Sequence, residues 1–311
     1  MDCECQHNIS LKSRTWIHRG GNVKNYYLPK NLEELIDIGR YLFEMNIDFI
    51  TIGHTSNIYF KNSFNIDSII DTKRLTSFEK YDDKTILCEC GVHISKFANH
   101  CIEKGYIGYE GLINLPGTIG GAIVNNSSCY NCGIENILKS IDVLFPNGNI
   151  VNIEKKDIGY TFRNSHLKSG IIKGIVLRAY LDISHKSSSE ELKKIAFNNN
   201  IDRKTSQEPP AYNLGSTVNC FYRRFNIRNI IIKLVTVFTK LVIKKRATAT
   251  KIIKRLTLSL YGKRYLNKYI SDKKIECFIW KDENADNYFN EYIDLINKIY
   301  KKYSVEIEIK E

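Results

Sequence analysis

The sequence lacks several features that would place it in an obvious class. It has no apolar run able to span a bilayer: the most apolar stretch, Ile230 to Ile243, is broken by Lys233 and Lys240, and a spanning helix needs about 20 mostly apolar residues. The opening Met1-Asp-Cys-Glu-Cys-Gln-His7 has neither the basic nor the apolar region of a secretion signal, so a cytoplasmic location is expected. No internal repeat or low-complexity tract interrupts the chain, and 43% hydrophobic with 11% aromatic residues excludes disorder as the main state. No second Cys-x-x-Cys accompanies Cys129-Tyr-Asn-Cys132, which leaves that pair without the partners a structural zinc site needs. All nine cysteines are therefore read as free thiols in a reducing compartment, with no metal site. At 311 residues, one large domain or two to three ordinary ones are expected.

The most informative absence is of acid. Between Glu208 and Asp272 there is no Asp or Glu, while fourteen Lys and Arg fall in the same window. The chain carries +12 overall, so everything outside that window sums to −2. Any anionic partner must therefore be sought at one segment. Its apolar residues Ile230, Ile231, Leu234, Val235, Phe238, Leu241 and Val242 fall near helical spacing. The plain expectation is one or two basic amphipathic helices that pack the apolar stripe inward and solvate the charged face. The sharper alternatives are a phosphate-bearing substrate, an anionic membrane surface or a nucleic acid. No recognised nucleic-acid module accompanies the segment, so nucleic acid is not expected as a partner.

Along the chain, Val23–Leu28 reads as a strand. Asn31-Leu-Glu-Glu34 has the form of a capping box, with Glu34 reaching back. A helix with Leu32, Leu35, Ile36, Leu42 and Phe43 on its buried side follows, then the β-rich run Asp48–Ile52 and the polar loop Gly53-His-Thr-Ser-Asn57. A glycine-started loop at the carboxyl end of a strand can offer backbone N–H groups to phosphate oxygens. Thr85–Cys90 reads as a strand and His93–Lys104 as a helix. Ser140–Phe145 and Ile150–Ile153 read as a hairpin whose Asn147-Gly148 suits a type I′ turn. Ile171–Ile183 is β-rich, and Ser187–Ile201 is helical. Ile275–Trp280 reads as a strand, Tyr288–Tyr303 as a helix and Ser304–Ile309 as a final strand.

The most unusual stretch is Gly108-Tyr-Glu-Gly-Leu-Ile-Asn-Leu-Pro-Gly-Thr-Ile-Gly-Gly-Ala-Ile-Val-Asn-Asn126. Five of its nineteen residues are glycine, with apolar residues interleaved. Pro116-Gly117 forces a turn, and Gly120-Gly121 removes Cβ atoms where something must approach the backbone. A cofactor with a pyrophosphate and a flat ring needs such a surface.

Several stretches agree in order and spacing with one family. The chain resembles the UDP-N-acetylenolpyruvoylglucosamine reductases, flavoenzymes with a PCMH-type FAD-binding fold, from about Ser10 to Glu311. Ser10-Leu-Lys-Ser-Arg-Thr-Trp-Ile-His-Arg-Gly-Gly21 is similar to the family's opening, and Gly53-His-Thr-Ser-Asn57 to its Ser-Asn loop. Gly111–Gly121 with Asn125, Asn126 and Tyr130 is the most specific match. Tyr160-Thr-Phe-Arg-Asn-Ser165 resembles a Tyr-Arg-x-Ser motif, and Gln207-Glu-Pro209 with Gly215-Ser216 a Gln-Pro and Gly-Ser pair.

The resemblance implies an α+β protein. Residues 1–70 and 71–186 would form two FAD-binding subdomains, and 187–311 a substrate-binding domain containing the basic helical segment 222–271. It implies FAD and NADPH as cofactors, a UDP-sugar substrate, a monomer, and no membrane contact beyond whatever the basic segment makes. FAD would be held by Gly53, His54, Thr55, Ser56, Asn57, Gly111, Pro116, Gly117, Thr118, Gly120, Gly121 and Asn125. Arg163 would face the substrate carboxylate, where hydride addition builds negative charge. Ser216 would donate the proton. Tyr130, Asn219 and Lys310 would contact substrate.

The chain also departs from the family pattern. Phe162 stands where a tyrosine is usual. Val218-Asn219-Cys220 follows Ser216 where aromatic residues and then Lys-Asn are usual. The basic segment replaces further glycine-rich sequence. The terminal catalytic glutamate position counts onto Lys310, with Glu308 and Glu311 nearby. These departures keep open a related flavin oxidoreductase acting on another nucleotide-sugar in surface-polysaccharide synthesis. They also keep open a flavin- or anion-binding protein that has lost catalysis.

Overall fold

Residues 4–243 and 246–311 are described by the computed structural model, and they separate into two units. The first contains the residues up to Leu11, Gly21–Thr55 and Ser63–Asn200; the second contains Lys12–Gly20, Ser56–Asn62 and Ile201–Glu311. Two short N-terminal segments thus join the C-terminal unit, which a linear partition of the chain does not anticipate. The fold is α+β.

In the first unit, β1 (Cys5–Ser10) pairs antiparallel with β2 (Asn22–Tyr27). α1 (Leu32–Glu44) leads to β3 (Phe49–Ile52); β4 (Ile58–Phe60) belongs to the second unit. β5 (Asn65–Asp71) lies between β2 and β3 and is parallel to both, giving the order β1-β2-β5-β3. Asn31 caps α1 by accepting from Glu34 N–H at 2.9 Å. The Glu34 carboxylate reaches one residue further than a capping box, to the N–H of Lys30 at 2.9 Å. Leu35, Ile38 and Leu42 are the fully buried face of α1.

Next come β6 (Phe78–Asp82), β7 (Thr85–Glu89), α2 (Ile94–Glu103), α3 (Ile119–Val124), β8 (Ser128–Cys129), β9 (Cys132–Gly133) and α4 (Ile134–Ile137). β10 (Leu138–Leu144), β11 (Ile150–Glu154) and β12 (Ile175–Asp182) complete an antiparallel five-stranded sheet of order β11-β10-β12-β7-β6. One core joins the unit, from Leu35 and Ile38 through Phe97 and Tyr109 to Leu144 and Ile175. The β10–β11 connection is not a type I′ turn. Leu144 pairs with Ile150 with five residues between them, which is too long for that two-residue loop. Gly148 N–H instead bonds Phe145 C=O at 2.9 Å, with Pro146 inside the turn and Gly148 at φ +80.

α5 (Ser189–Ser206) runs longer than expected, and the division between the units falls inside it. In the second unit, β13 (Val218–Arg223) is followed by α6 (Ile227–Val242), α7 (Arg246–Leu260), α8 (Ala285–Ile299), β14 (Tyr300–Val305) and β15 (Glu308–Lys310). β13 pairs antiparallel with β14, and β15 parallel with β4. Phe278, Trp280, Phe289, Tyr292 and Tyr269 form an aromatic core.

Three expectations here are corrected. Ile275–Trp280 is not a strand: Cys277 N–H turns back to Lys274 C=O at 3.1 Å, and only isolated bridges at Phe278 and Ile279 remain. The last helix stops at Ile299, because Tyr300–Val305 is recruited as β14. The apolar stripe of α6 is not packed inward: Leu234, Phe238, Leu241 and Val242 are exposed.

Candidate functional site

In the first unit, β3 delivers Gly53, His54 and Thr55 against the turn that starts α3. A Cβ on Gly53 would lie 2.3 Å from Thr118 Oγ1. Thr118 is the N-cap of α3 and accepts from Gly121 N–H at 3.3 Å. Ile94 N–H bonds Gly117 C=O (3.1 Å), Ile119 N–H bonds Val92 C=O (2.9 Å) and Gly120 N–H bonds Cys90 C=O (2.8 Å). Loop 53–55, the start of α2 and the Pro116–Thr118 turn are thereby laced together. Thr55 sits at φ +53, a left-handed conformation that costs a non-glycine residue energy and recurs at ligand-binding loops.

Most glycines of the unusual stretch serve the chain itself. A Cβ at Gly111 would meet Cys129 C=O at 2.1 Å, and one at Gly120 would meet Cys90 Cβ at 2.9 Å. At Gly121 the missing Cβ leaves space, its nearest neighbour being its own capping Thr118 at 3.4 Å. Gly53, Gly111 and Gly120 are thus close-approach positions within the fold itself.

His54 and His93 meet edge to face with ring centroids 4.7 Å apart. Each has a buried Nδ1 without a partner among the described residues. Burial, then the neighbouring His93 and Lys73, pushes His54 down to about 4 against a weaker pull from Asp71; burial also lowers His93. Both rings are neutral at neutral pH. The sign of the consequence follows. Below the ordinary value of 6.5 the unfolded chain takes a proton that folded His54 refuses until about 4, so stability is lost as pH falls through that window. Thermal melts from pH 7 to pH 4 should therefore drop more steeply for the wild type than for His54→Gln; parallel pH profiles would contradict this.

The far end of α3 carries a second cluster. Lys168 Nζ donates to Asn125 Oδ1 (2.7 Å) and to Arg163 C=O (3.1 Å). Asn126 Nδ2 donates to Glu135 (2.9 Å) and Thr161 C=O (3.0 Å), leaving its Oδ1 buried without a partner. Arg163 sits at φ +54. One of its Nη groups donates to Ser128 C=O at 3.2 Å, while its buried Nε has no partner among the described residues. Phe162 is 65% exposed, with its ring 5.9 Å from the guanidinium carbon. The Tyr160 hydroxyl is buried and unpartnered, and burial raises its pKa. Tyr130 and Asn131, both at positive φ, form the tight turn between β8 and β9.

Buried polar atoms without partners are rare and costly, at about 1–3 kcal/mol each. Five of them, on His54, His93, Asn126, Tyr160 and Arg163, flank a six-residue helix about 9 Å long. That donor and acceptor set fits an elongated polar cofactor such as FAD. His93, Asn126, Tyr160 and Lys168 are the residues sequence reading did not assign; Asn126 and Tyr160 stood in quoted motifs without a role, and nothing in the sequence pairs His93 with His54.

In the second unit, Gly215 at φ +75 precedes Ser216, whose Oγ accepts from Lys274 Nζ at 2.6 Å. Thr217 is fully buried and locked: its N–H bonds Glu276 C=O (2.9 Å), its Oγ1 accepts from Phe278 N–H (3.0 Å), and its C=O accepts from Glu306 N–H (2.9 Å). Asn219 lies in β13 opposite Ser304. Ser56 and Asn57 fall in this unit rather than with Gly53–Thr55, and Asn57 Nδ2 donates to Glu306 C=O at 3.3 Å. Glu308 and Lys310 share a strand face with a 3.6 Å ion pair, whereas Glu311 is exposed and paired with Lys61. Lys274, unmarked in the sequence, supplies a cation beside Ser216. It also lines a cavity of about 680 Å³ with Gln207, Arg223, Lys254, Lys273 and Glu276. The described cysteines are free thiols, Cys129 and Cys132 included; Cys3 lies outside the described residues. Among the described residues no His/Cys/Asp/Glu cluster could hold a metal ion. No described helix is long and apolar enough to cross a membrane.

Residues 23–154 match the FAD binding domain family. The chain is 30% identical over 200 residues to the UDP-N-acetylenolpyruvoylglucosamine reductase of Caldicellulosiruptor saccharolyticus, covering 64% of this chain and 63% of that protein. It is 28% identical over 210 residues to that of Caldanaerobacter subterraneus, covering 68% of each. The first of these matches thus spans less than two thirds of the relative's length. Among solved structures, the UDP-N-acetylenolpyruvylglucosamine reductase of Thermus caldophilus shares the fold along the whole of both chains, with a TM-score of 0.67 at 17% identity. By sequence the chain is similar to UDP-N-acetylenolpyruvoylglucosamine reductases, it carries a stretch that matches an FAD binding domain, and it shares the fold of the Thermus caldophilus reductase.

Proposed function

We propose that the protein is an FAD-dependent oxidoreductase that uses NADPH to reduce the enolpyruvyl group of UDP-N-acetylglucosamine enolpyruvate to UDP-N-acetylmuramate, a peptidoglycan precursor. The observation that carries this reading is the set of buried polar atoms at both ends of α3 that have no partner among the described residues; His54, His93 and Asn126 lie inside the matched FAD-binding stretch, and Tyr160 and Arg163 just beyond it. FAD would be held by Gly53–Thr55, the Pro116–Gly121 turn and Asn125, with the neutral His54 and His93 rings beside them. When bound and reduced by NADPH, it would supply the hydride that adds to the substrate methylene carbon. The neighbouring carbon then gains a proton, so the double bond takes up two electrons and two hydrogens in all.

The chain's own residues handle the charge and the proton. Arg163 keeps its Nε free of protein partners, so the guanidinium can grip the carboxylate on which charge develops. Ser216 carries the transferable proton. Lys274 donates to the Ser216 oxygen, which orients the hydroxyl hydrogen away from the ammonium and stabilises the alkoxide left behind. Glu308 or Glu311 is the candidate terminal catalytic carboxylate, and Tyr130, Asn219 and Lys310 are the further substrate-side groups of this reading.

Arg163→Lys tests the carboxylate grip. Reduction of the flavin by NADPH should be unchanged, while reoxidation by the enolpyruvyl substrate slows on the order of tenfold to a hundredfold, because a point charge cannot hold a planar carboxylate in two places. Equal slowing of both half-reactions in stopped-flow absorbance would contradict the assignment. A second reading, reduction of another nucleotide-sugar in surface-polysaccharide synthesis, is favoured by one observation. The cation beside Ser216 is Lys274, while Val218-Asn219-Cys220 lacks the lysine that the resemblance leads one to expect soon after the Gly-Ser pair. Stopped-flow reoxidation across a panel of nucleotide-sugars separates the two.

A further inference from the structure

Helix α6 is turned inside out relative to an ordinary surface helix. The side chains it buries are Asn229, Ile232 and Thr239, while Ile227, Leu234, Val237, Phe238, Leu241 and Val242 are between 55% and 80% exposed. The exposed set recurs at helical spacing along 16 residues, a stripe about 24 Å long. Phe225, just before the helix, is 95% exposed. The orientation is fixed by polar bonds on the inner side. Asn229 Nδ2 donates to Arg224 C=O (2.8 Å) and Ile299 C=O (2.9 Å), and the Tyr261 hydroxyl donates to Asn229 Oδ1 (3.1 Å). Rolling the apolar face inward would break all three.

An apolar patch of this extent on a folded chain marks an interaction surface. Charge decides the occupant. Arg223, Arg224, Arg228 and Lys233 are exposed around the stripe, and no acidic residue occurs between Glu208 and Asp272. A second copy would press this positive segment against its own like charge. A nucleic acid would satisfy the cations and leave the aliphatic and aromatic side chains in water. An anionic lipid surface satisfies both. We propose that α6 docks the protein in the plane of an anionic bilayer, with Leu234, Phe238 and Leu241 entering the headgroup–acyl boundary and the surrounding Lys and Arg on the lipid phosphates. Docking of this kind is independent of the flavin chemistry.

The test is co-sedimentation of the full chain with phosphatidylcholine vesicles, with and without phosphatidylglycerol. The wild type should bind only the anionic vesicles, and the Phe238→Ser/Leu241→Ser double variant should bind roughly tenfold less, since its lost apolar area is what enters the boundary. A Leu241→Trp variant should gain blue-shifted emission on addition of anionic vesicles. Wild type remaining in the supernatant would overturn the proposal, as would a double variant that binds as well as wild type. So would tighter binding of single-stranded RNA than of the vesicles, an unshifted Leu241→Trp emission, or a lipid-free dimer that the double variant converts to monomer.

Discussion

Ser216→Ala should leave reduction of the flavin by NADPH at its wild-type rate and slow reoxidation by the enolpyruvyl substrate on the order of 10²–10⁴-fold, the usual contribution of a positioned proton donor. The split follows from what Ser216 touches. Its hydroxyl bonds Lys274, and its neighbour Thr217 is held at N–H, Oγ1 and C=O. Loss of one exchangeable proton therefore changes the chemistry at this point without loosening the loop. The Ser216 hydroxyl has no counterpart in hydride transfer from a nicotinamide, so the first half-reaction has nothing to lose. Equal slowing of both phases in a stopped-flow experiment would remove Ser216 from the role given to it.

The second large effect is on folding. A Cβ at Gly91 would sit 1.8 Å from Thr72 C=O and 2.6 Å from Leu75 C=O. Both obstacles are backbone, so no rotamer change relieves them, and the turn joins β7 to the start of α2 beneath the α3 turn. Overpacking a core usually costs about 1–3 kcal/mol; with rigid backbone on the other side, Gly91→Ala should cost on the order of 4–5 kcal/mol, the exceptional range for one substitution. Gly170 provides the contrast. It has φ +76 and nothing within 4 Å of its missing Cβ, so Gly170→Ala should cost only the left-handed strain of about 1–2 kcal/mol. Chemical denaturation of the two variants beside wild type measures both, and a Gly91→Ala midpoint equal to that of Gly170→Ala would contradict the packing described.

The elements that were legible in the sequence had strong local signals. α1 announced itself through the Asn31 cap and the Leu35/Leu42 spacing, and β7 with α2 through an apolar run, Gly91 and a clear periodicity. β1 did not: Cys5-Gln-His-Asn-Ile-Ser10 is polar and without clean alternation, and becomes a strand because β2 offers it an edge. Tyr300–Val305 carried the period of α8 onward but pairs with β13, a long-range partner no local pattern reveals. The stripe of α6 was readable, but its direction was not, since the bonds of Asn229 to Arg224, Ile299 and Tyr261 set it. Among the candidate residues, motifs pointed to Arg163, Ser216 and the Gly53 loop. His93 and Lys274 were not, because each matters only through a residue far away in sequence.

The most direct test of the flavin site is the visible absorption spectrum of the purified recombinant chain, read before and after titration with FAD and after heat release of any bound flavin. A yellow protein that releases stoichiometric FAD, or a colourless one that takes FAD up to saturation, is the expected result. A colourless protein that stays colourless in excess FAD would contradict the assignment of the polar groups around α3 to a flavin.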